Sequence, residues 1–170
     1  LKSRQFREDG GPLAHPVRPE SFVEINNFYT LTVYEKGAEL VSMIKRLVGD
    51  KAYRDALDLY FDTYDGQAVT IEDWIKVFEE VTELDLSQFI LWYQQAGTPI
   101  LSVSERWENN FLKIFFHQEI PDTPGQSNKK PHLIPVDMSL LDKNSGEIIY
   151  SKNLKVSQTK EEFIFGPFNE

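Results

Sequence analysis

The 170-residue sequence contains no cysteine, and this absence excludes several kinds of site at once. Disulfide scaffolds, cysteine-ligated zinc, iron–sulfur clusters and thiol catalysis all require cysteine sulfur. No apolar run approaches the roughly 18 residues that would span a bilayer, so a membrane is not an expected partner. The composition is nevertheless that of a globular protein, because 41% of the residues are hydrophobic and 13% are aromatic. A disordered or low-complexity chain is therefore excluded.

Positive charge is also scarce. The chain has 18 lysine and arginine residues against 27 aspartate and glutamate residues, which gives a formal net charge of −9. The acidic excess is concentrated in residues 51–100. Because an acidic chain without a basic stripe repels phosphate, nucleic acid is not an expected partner.

The first 97 residues divide into an irregular and a helical part. Glycines and prolines at positions 10–12, 16 and 19 interrupt any period, so residues 1–30 are predicted to be irregular. From residue 33 to residue 97, apolar side chains recur at helical spacing and predict four helices. The expected capping residues are, in chain order, Thr32 with Glu35, Asp50, Thr70 with Asp73, and Asp85 with Gln88.

The period changes to two after Gly97, where short strands alternate with loops. Six or seven short strands in this region predict a small antiparallel sandwich, with a hairpin turn at residues 143–146. The predicted fold class is therefore α+β, with a mostly helical domain at residues 1–97 followed by a β-sandwich domain at residues 98–170. The clearest predicted strands lie at residues 100–104, 111–117, 133–141, 147–150, 154–157 and 163–165.

The usual catalytic motifs are missing. The three histidines, His15, His117 and His132, include no pair at i, i+4 spacing, so H-E-x-x-H is absent and no zinc site is expected within the chain. His117 is expected on the surface, His132 in solvent, and His15 in a packing or backbone-bonding role. An EF-hand alignment fails because its first ligand position falls on Phe61, which is predicted to be a core residue. Serine-nucleophile and phosphate-loop motifs are absent as well.

One segment, residues 26–38, joins an extended stretch to a helix start and carries Tyr34. In the first turn of a helix, free N–H groups and the helix dipole create positive potential. A phenol there is a suitable donor towards a developing oxyanion. Packing is the alternative role, since most tyrosines near a helix start are packing residues.

The run Val33-Tyr34-Glu35-Lys36-Gly37 resembles the tyrosine motif of the zinc aminopeptidases of the aminopeptidase N type, which are gluzincins. Residues 11–19 resemble the segment that precedes this motif in the bacterial aminopeptidases N, and residues 65–66, 92–93 and 97–99 also fit. The β part resembles the Ig-like domain that follows the catalytic domain in that family. Together the resemblance covers nearly the whole chain.

The resemblance implies roles for particular residues. Tyr34 would be the catalytic residue that stabilises the tetrahedral oxyanion formed when zinc-bound water attacks the substrate carbonyl. Asn26 and Asn27 would line the cleft and bind substrate. Glu35 would have a structural role, closing a capping box with Thr32. Peptides that lose their N-terminal residues would be the substrates.

The resemblance also implies that the chain is a fragment. The H-E-x-x-H motif and the third zinc ligand of the family lie upstream of anything present here, so residues 1–97 would be the end of a thermolysin-like catalytic domain. Zinc would be the cofactor of the parent enzyme, whereas this chain alone would bind none and would be inactive. The bacterial family members imply a cytoplasmic location.

A non-catalytic interaction module, built from a helical bundle and a β-sandwich, is the alternative. Its acidic helical part would meet a basic partner. The two hypotheses differ in the surface they predict. A fragment of a larger enzyme exposes the apolar surface that packs against the rest of the catalytic domain, so it should dimerise or bind hydrophobic dye. A free-standing module should be monodisperse and without such a patch.

Overall fold

A computed structural model of the chain describes residues 1–22 and 24–168. The helical elements precede the strands, which confirms the predicted α+β class. The helical elements are α1 (Gln5–Asp9), a 3-10 turn (Ile25–Phe28), a π-helix (Thr32–Lys36), α2 (Gly37–Val48), α3 (Asp50–Tyr64), α4 (Ile71–Thr82), a second 3-10 turn (Ser87–Ile90) and α5 (Leu91–Gln94). The strands are β1 (Ile100–Glu108), β2 (Phe111–Glu119), β3 (Ile134–Leu141), β4 (Ile148–Val156) and β5 (Lys160–Phe165).

The helical core is built by α2, α3 and α4 together with the second 3-10 turn and α5, which add Phe89, Trp92 and Tyr93. Helix α2 buries Leu40, Ile44 and Leu47, and α4 buries Ile75 and Phe78, so each presents one apolar stripe at the expected spacing. The four predicted helices are present as α2 to α5, although the last is short because a 3-10 turn forms its first part.

The prediction that Phe61 is a core residue is wrong, because 59% of its surface is exposed. The neighbouring Tyr60 takes the inner position and packs edge-on against Trp74, with ring centroids 5.2 Å apart. A helix turns about 100° per residue, so the side chains of Tyr60 and Phe61 leave α3 in different directions, and here only that of Tyr60 packs against the core.

Helix α1 lies in the segment that was predicted to be irregular. The carbonyl of Leu1 accepts hydrogen bonds from the amides of Arg4 and Gln5, and the helix ends before Gly10. The residues that α1 buries, Gln5 and Asp9, are both polar. The sequence therefore shows no apolar period that predicts this helix, because such a period appears only where apolar side chains are buried.

Two helix starts contrast in how they are capped. Thr70 and Asp73 form the predicted capping box at the start of α4, with the Asp73 amide 3.2 Å from the Thr70 hydroxyl and the Thr70 amide 2.9 Å from the Asp73 carboxylate. The predicted box between Thr32 and Glu35 is wrong. Both the amide and the hydroxyl of Thr32 donate to Glu8, at 2.8 and 2.6 Å, because the helical turn packs against α1.

The other two capping predictions are also corrected. Asp50 is the first residue of α3 and makes no cap hydrogen bond; its carboxylate pairs with Lys45 at 3.1 Å instead. Asp85 accepts from the amide of Ser87 at 2.9 Å, but Gln88 does not close a box with it. The Gln88 side chain donates across to the β part, where tertiary partners take precedence over the local motif.

The β part consists of two antiparallel sheets, β1-β2-β5 and β3-β4, that enclose a second core. The hairpin turn at residues 143–146 is confirmed. The strands predicted at 147–150 and 154–157 are one continuous strand, β4, so the described residues contain five strands. Polar pairs between β3 and β4 stabilise the middle of β4 as a strand. Asn153 donates to Asp137 at 2.8 Å, and the hydroxyls of Ser139 and Ser151 lie 3.1 Å apart. The buried residues of this core are Leu112, Ile114, Phe116, Leu154, Val156 and Phe165.

The junction between the helical and β parts is held by side chains that bind backbone. Gln95 exchanges two hydrogen bonds of 2.8 Å with the backbone of Lys130, and the Trp92 indole donates to the Leu133 carbonyl at 2.9 Å. Gln88 donates to the carbonyls of Pro131 and Ser157, at 2.9 and 2.7 Å. These contacts fix the path of the chain just before β1.

Within the described part of the chain, no helix has the length and hydropathy needed to cross a membrane.

Candidate active site

Tyr34 lies in the π-helix that leads directly into α2. The helical turn is opened by Thr30, whose hydroxyl accepts from the Val33 amide at 3.1 Å and whose carbonyl accepts from the Tyr34 amide at 3.1 Å. The Gly37 amide then bonds to the carbonyl of Thr32, five residues back, which defines the π-turn. The amides of Thr32, Val33 and Tyr34, which were expected to be free, therefore already have hydrogen-bond acceptors.

The Tyr34 side chain projects outward, with 60% of the residue exposed. Its ring stacks on that of Tyr29, with centroids 6.2 Å apart and an angle of 25° between the planes. Phe28 meets Tyr29 edge-on at 6.0 Å and Phe22 at 5.9 Å, which extends the aromatic cluster. Among residues 1–22 and 24–168, the Tyr34 hydroxyl has no hydrogen-bond partner, so it is available to a ligand.

The two predicted substrate-binding residues, Asn26 and Asn27, lie exposed on the 3-10 turn Ile25–Phe28. The Asn26 carbonyl accepts from the Tyr29 amide at 3.4 Å, so the turn leads into the aromatic pair of Tyr29 and Tyr34. Their role at a cleft stays a prediction. Glu35 is exposed, and its predicted capping bond to Thr32 is replaced by the bonds of Thr32 to Glu8.

Beneath the π-helix lies a buried ionic network that sequence reasoning missed. The ammonium of Lys36, whose side chain is 7% exposed, pairs with the fully buried carboxylate of Asp9 at 2.9 Å. Lys36 also donates to the Gly97 carbonyl at 3.0 Å. Asp9 in turn accepts from the Gly97 amide and the Thr98 hydroxyl, each at 2.8 Å. Burial alone would raise the pKa of Asp9, but the Lys36 charge and these hydrogen bonds lower it below its usual value.

A sequence signal for this network existed. Lys36 stands four residues before Leu40, which stands four before Ile44, so the lysine occupies the core-facing stripe of the helix. A lysine on such a stripe is expected to need a buried acidic partner. That partner, Asp9, is on a helix that the apolar pattern did not reveal.

The three histidines do not converge on a metal site. His117 is exposed on β2, as predicted, and the His15 ring bonds the Pro16 carbonyl at 2.8 Å, in the predicted backbone-bonding role. The prediction that His132 is solvated is wrong: it is fully buried and its ring lies 4.2 Å from that of Trp92. Among the residues that the structure describes, no three histidine, aspartate or glutamate side chains are grouped to hold a metal ion.

Burial lowers the pKa of His132 to about 4, and repulsion from Lys36 acts in the same direction. The ring is therefore neutral at physiological pH. Its place at the junction of the helical and β parts makes it a packing residue, held by backbone bonds of 2.6 and 3.0 Å to the side chain of Gln118.

Comparison with known proteins assigns the two parts to different families. Residues 2–93 match the peptidase family M1 domain. Residues 97–170 match a domain of unknown function, DUF3458, that has an Ig-like fold. The boundary between the two matches falls at the segment that Asp9 and Lys36 bind.

The similar proteins are aminopeptidases. Aminopeptidase N of Escherichia coli is 40% identical over 97% of this chain, and that of Haemophilus influenzae is 38% identical over 97%. The chain covers only 20% of each of these relatives. The structure of Legionella pneumophila aminopeptidase A in complex with aspartic acid matches 90% of this chain and 17% of that protein, with a TM-score of 0.77 and 28% identity. The chain is therefore a member of the M1 peptidase family, with a β part that has the Ig-like fold.

Proposed function

We propose that this chain works as part of a zinc-dependent aminopeptidase, in which Tyr34 donates a hydrogen bond to the oxyanion of the tetrahedral intermediate. The observation that carries the proposal is the Tyr34 hydroxyl itself, exposed and unpartnered within the described residues, on a helix start inside the M1-matching segment. Removing one donor of this kind typically lowers kcat by about 10²–10³-fold, or about 2.7–4 kcal/mol of transition-state stabilisation.

The described residues do not fit a zinc ion. His15, His117 and His132 have other surroundings, and the described part of the chain groups no three candidate ligands. Zinc would therefore be held by residues outside this chain, and the chain contributes a hydrogen-bond donor. We accordingly expect the 170-residue chain alone to bind no stoichiometric zinc and to leave aminoacyl anilides uncleaved.

Substrate contacts are proposed for Asn26 and Asn27. Both are exposed on the turn that leads into Tyr29 and Tyr34, and their side-chain amides can both donate to and accept from a peptide backbone. We further propose that residues 1–97 are the end of a thermolysin-like catalytic domain and residues 98–170 a separate Ig-like domain. The cytoplasmic location stays a prediction.

The exposed apolar side chains near Tyr34 support this proposal over a free-standing interaction module. Phe22, Ile25 and Tyr29 are exposed, and ring contacts run without a gap from Phe22 through Phe28 and Tyr29 to Tyr34, whereas a module with a finished surface should have no such patch. We expect the chain alone to bind a hydrophobic dye or to dimerise through this surface.

The test is Tyr34→Phe in the whole enzyme encoded by the reading frame that contains this chain. We expect kcat to fall by about 10²–10³-fold while KM changes far less, because the hydroxyl acts on the transition state. The matched control is Tyr29→Phe, which removes a hydroxyl from an equally exposed ring and keeps the stack. An unchanged kcat in Tyr34→Phe, or a reading frame without a histidine pair for zinc, would contradict the proposal.

A further inference from the structure

Two consecutive carboxylates of α1 hold the two ends of the π-helix. Glu8 accepts hydrogen bonds from the amide and the hydroxyl of Thr32, the first residue of the π-helix, at 2.8 and 2.6 Å. Asp9 binds the ammonium of Lys36, the last residue of the π-helix, at 2.9 Å. Tyr34 lies midway between these two anchors. Helix α1 therefore braces the buried side of the turn that presents the tyrosine.

The Lys36 anchor extends to a third part of the chain. Lys36 and Asp9 bind the carbonyl and the amide of Gly97, at 3.0 and 2.8 Å, so they enclose this residue from both sides. Gly97 has a φ of +89°, and a Cβ there would lie 3.2 Å from the Thr123 side chain. One ion pair therefore joins three segments that are far apart in sequence: α1, the π-helix and the junction with the β part.

A buried ion pair is a weak source of stability, because desolvation of the two charges offsets most of their attraction. Its distinctive property here is a fixed geometry, since Asp9 accepts three hydrogen bonds of 2.8–2.9 Å and Lys36 donates two of 2.9–3.0 Å within one buried cluster. Such geometry matters at a π-turn, which is rare and tends to occur at functional sites. The ring of Tyr34 is exposed, and among the described residues its hydroxyl has no hydrogen-bond partner that would hold it in place.

We propose that Lys36 is a positioning residue for Tyr34: its ion pair with Asp9 and its bond to Gly97 fix the end of the π-helix and thereby the place of the tyrosine hydroxyl. Glu8 does the same at the start of the turn through Thr32. This inference rests on the proposed function of Tyr34. It extends that function by naming a side chain that never touches substrate and acts through another residue.

The experiment measures kcat and KM for Lys36→Met in the whole enzyme, in the natural background and in the Tyr34→Phe background. In the natural background we expect kcat to fall by about 10²-fold with KM little changed, the loss that a displacement of about 1 Å causes. In the Tyr34→Phe background we expect almost no further loss, because the group that Lys36 positions is already absent.

The controls separate positioning from general damage. Lys45→Met removes a lysine of α2 whose ion pair with Asp50 is exposed, and it should leave kcat unchanged. Thr32→Val removes one hydroxyl with little change of shape and should give a smaller kcat loss that also disappears in the Tyr34→Phe background. If Lys36→Met does not fold, Lys36→Arg decides the question: it keeps a cation beside Asp9 but places its donor atoms elsewhere, so it should lower kcat in the natural background and not in the Tyr34→Phe background.

Equal losses of kcat in both backgrounds would overturn the positioning role while leaving the role of Tyr34 intact. An unchanged kcat in Tyr34→Phe alone would instead overturn the proposed function. A second readout needs no activity: in the 170-residue chain, Lys36→Met should speed amide hydrogen exchange across residues 33–37 and shift the Tyr34 ring resonances, and Lys45→Met should do neither. Unchanged exchange and resonances in Lys36→Met would contradict the inference.

Discussion

The two sides of the π-helix Thr32–Lys36 differ in almost every physical respect. Its outer side carries Tyr34, exposed to solvent and stacked on one equally exposed neighbour, Tyr29. Its inner side carries Lys36, buried and bound to the carboxylate of Asp9 and the carbonyl of Gly97. Among the described residues the Tyr34 side chain on the outer side makes no hydrogen bond, whereas the Lys36 side chain on the inner side makes two.

This contrast indicates that contacts of the neighbouring backbone and side chains, and not contacts of the reactive group itself, can fix the position of that group. An exposed phenol must stay free to meet a substrate, so bonds to its own hydroxyl would compete with function. Bonds to residues two positions away on either side leave the hydroxyl free and still restrict the turn. Changes on the inner side should therefore affect both stability and activity, whereas changes on the outer side should affect only activity.

The largest effect on stability is expected for Asp9→Ala. This change leaves the buried ammonium of Lys36 without its counter-ion, so the free energy of unfolding of the chain should fall by about 3–5 kcal/mol. The exposed counterpart is Asp58→Ala, which breaks the surface pair with Arg54 and should lower it by less than about 1 kcal/mol. Urea unfolding of both variants measures the difference.

The double variant Asp9→Leu with Lys36→Met sharpens this result. Because it removes both buried charges, it should recover much of the stability that Asp9→Ala loses. A loss in Asp9→Ala as small as that in Asp58→Ala would mean that the buried side does not hold the turn as described.

A smaller effect, of about 3 kcal/mol, is expected from acid titration of His132. Burial lowers the pKa of this residue to about 4 in the folded chain, against a usual value of 6.5. Between these two values the unfolded chain binds the proton and the folded chain does not, so stability is lost as the pH falls from 6.5 towards 4. Below pH 4 this residue makes no further change.

Chemical denaturation between pH 7 and pH 4 measures how the free energy of unfolding depends on pH, in the natural chain and in His132→Phe. His132→Phe keeps a ring against Trp92 and removes the titration, so its free energy of unfolding should depend less on pH. An equal pH dependence in the natural chain and in His132→Phe would contradict the assignment.

The parts of the fold that the sequence predicted are those in which apolar burial repeats with a regular period. Leu40, Ile44 and Leu47 define α2 in the sequence as they do in the structure. Prediction failed where polar side chains carry the structure. Helix α1 buries Gln5 and Asp9, and β4 continues through Ser151 and Asn153 because their partners lie on another strand.

The candidate site divides in the same way. The motif around Tyr34 is local, and the resemblance that singled it out rests on short segments taken together, residues 11–19, 33–37 and 97–99. Its support is not local, since Lys36 meets Asp9 across 27 residues and Gly97 across 61. Single-sequence patterns do not pair such distant residues, and the capping box expected for Thr32 failed because the true acceptor, Glu8, lies 24 residues away in sequence.

The smallest effect on stability is expected for Tyr34→Phe, which should leave the unfolding free energy of the 170-residue chain within about 0.5 kcal/mol of the natural value. The hydroxyl has no partner among the described residues, and the ring can still stack on Tyr29 in the variant. Urea unfolding of the variant chain, measured beside Thr32→Val, tests this. Thr32 is fully buried and bonded to Glu8, so its hydroxyl should matter more for stability than that of Tyr34. If Tyr34→Phe destabilised the chain as much as Thr32→Val, the hydroxyl would be a structural group, and the division between an outer side for chemistry and an inner side for position would fail.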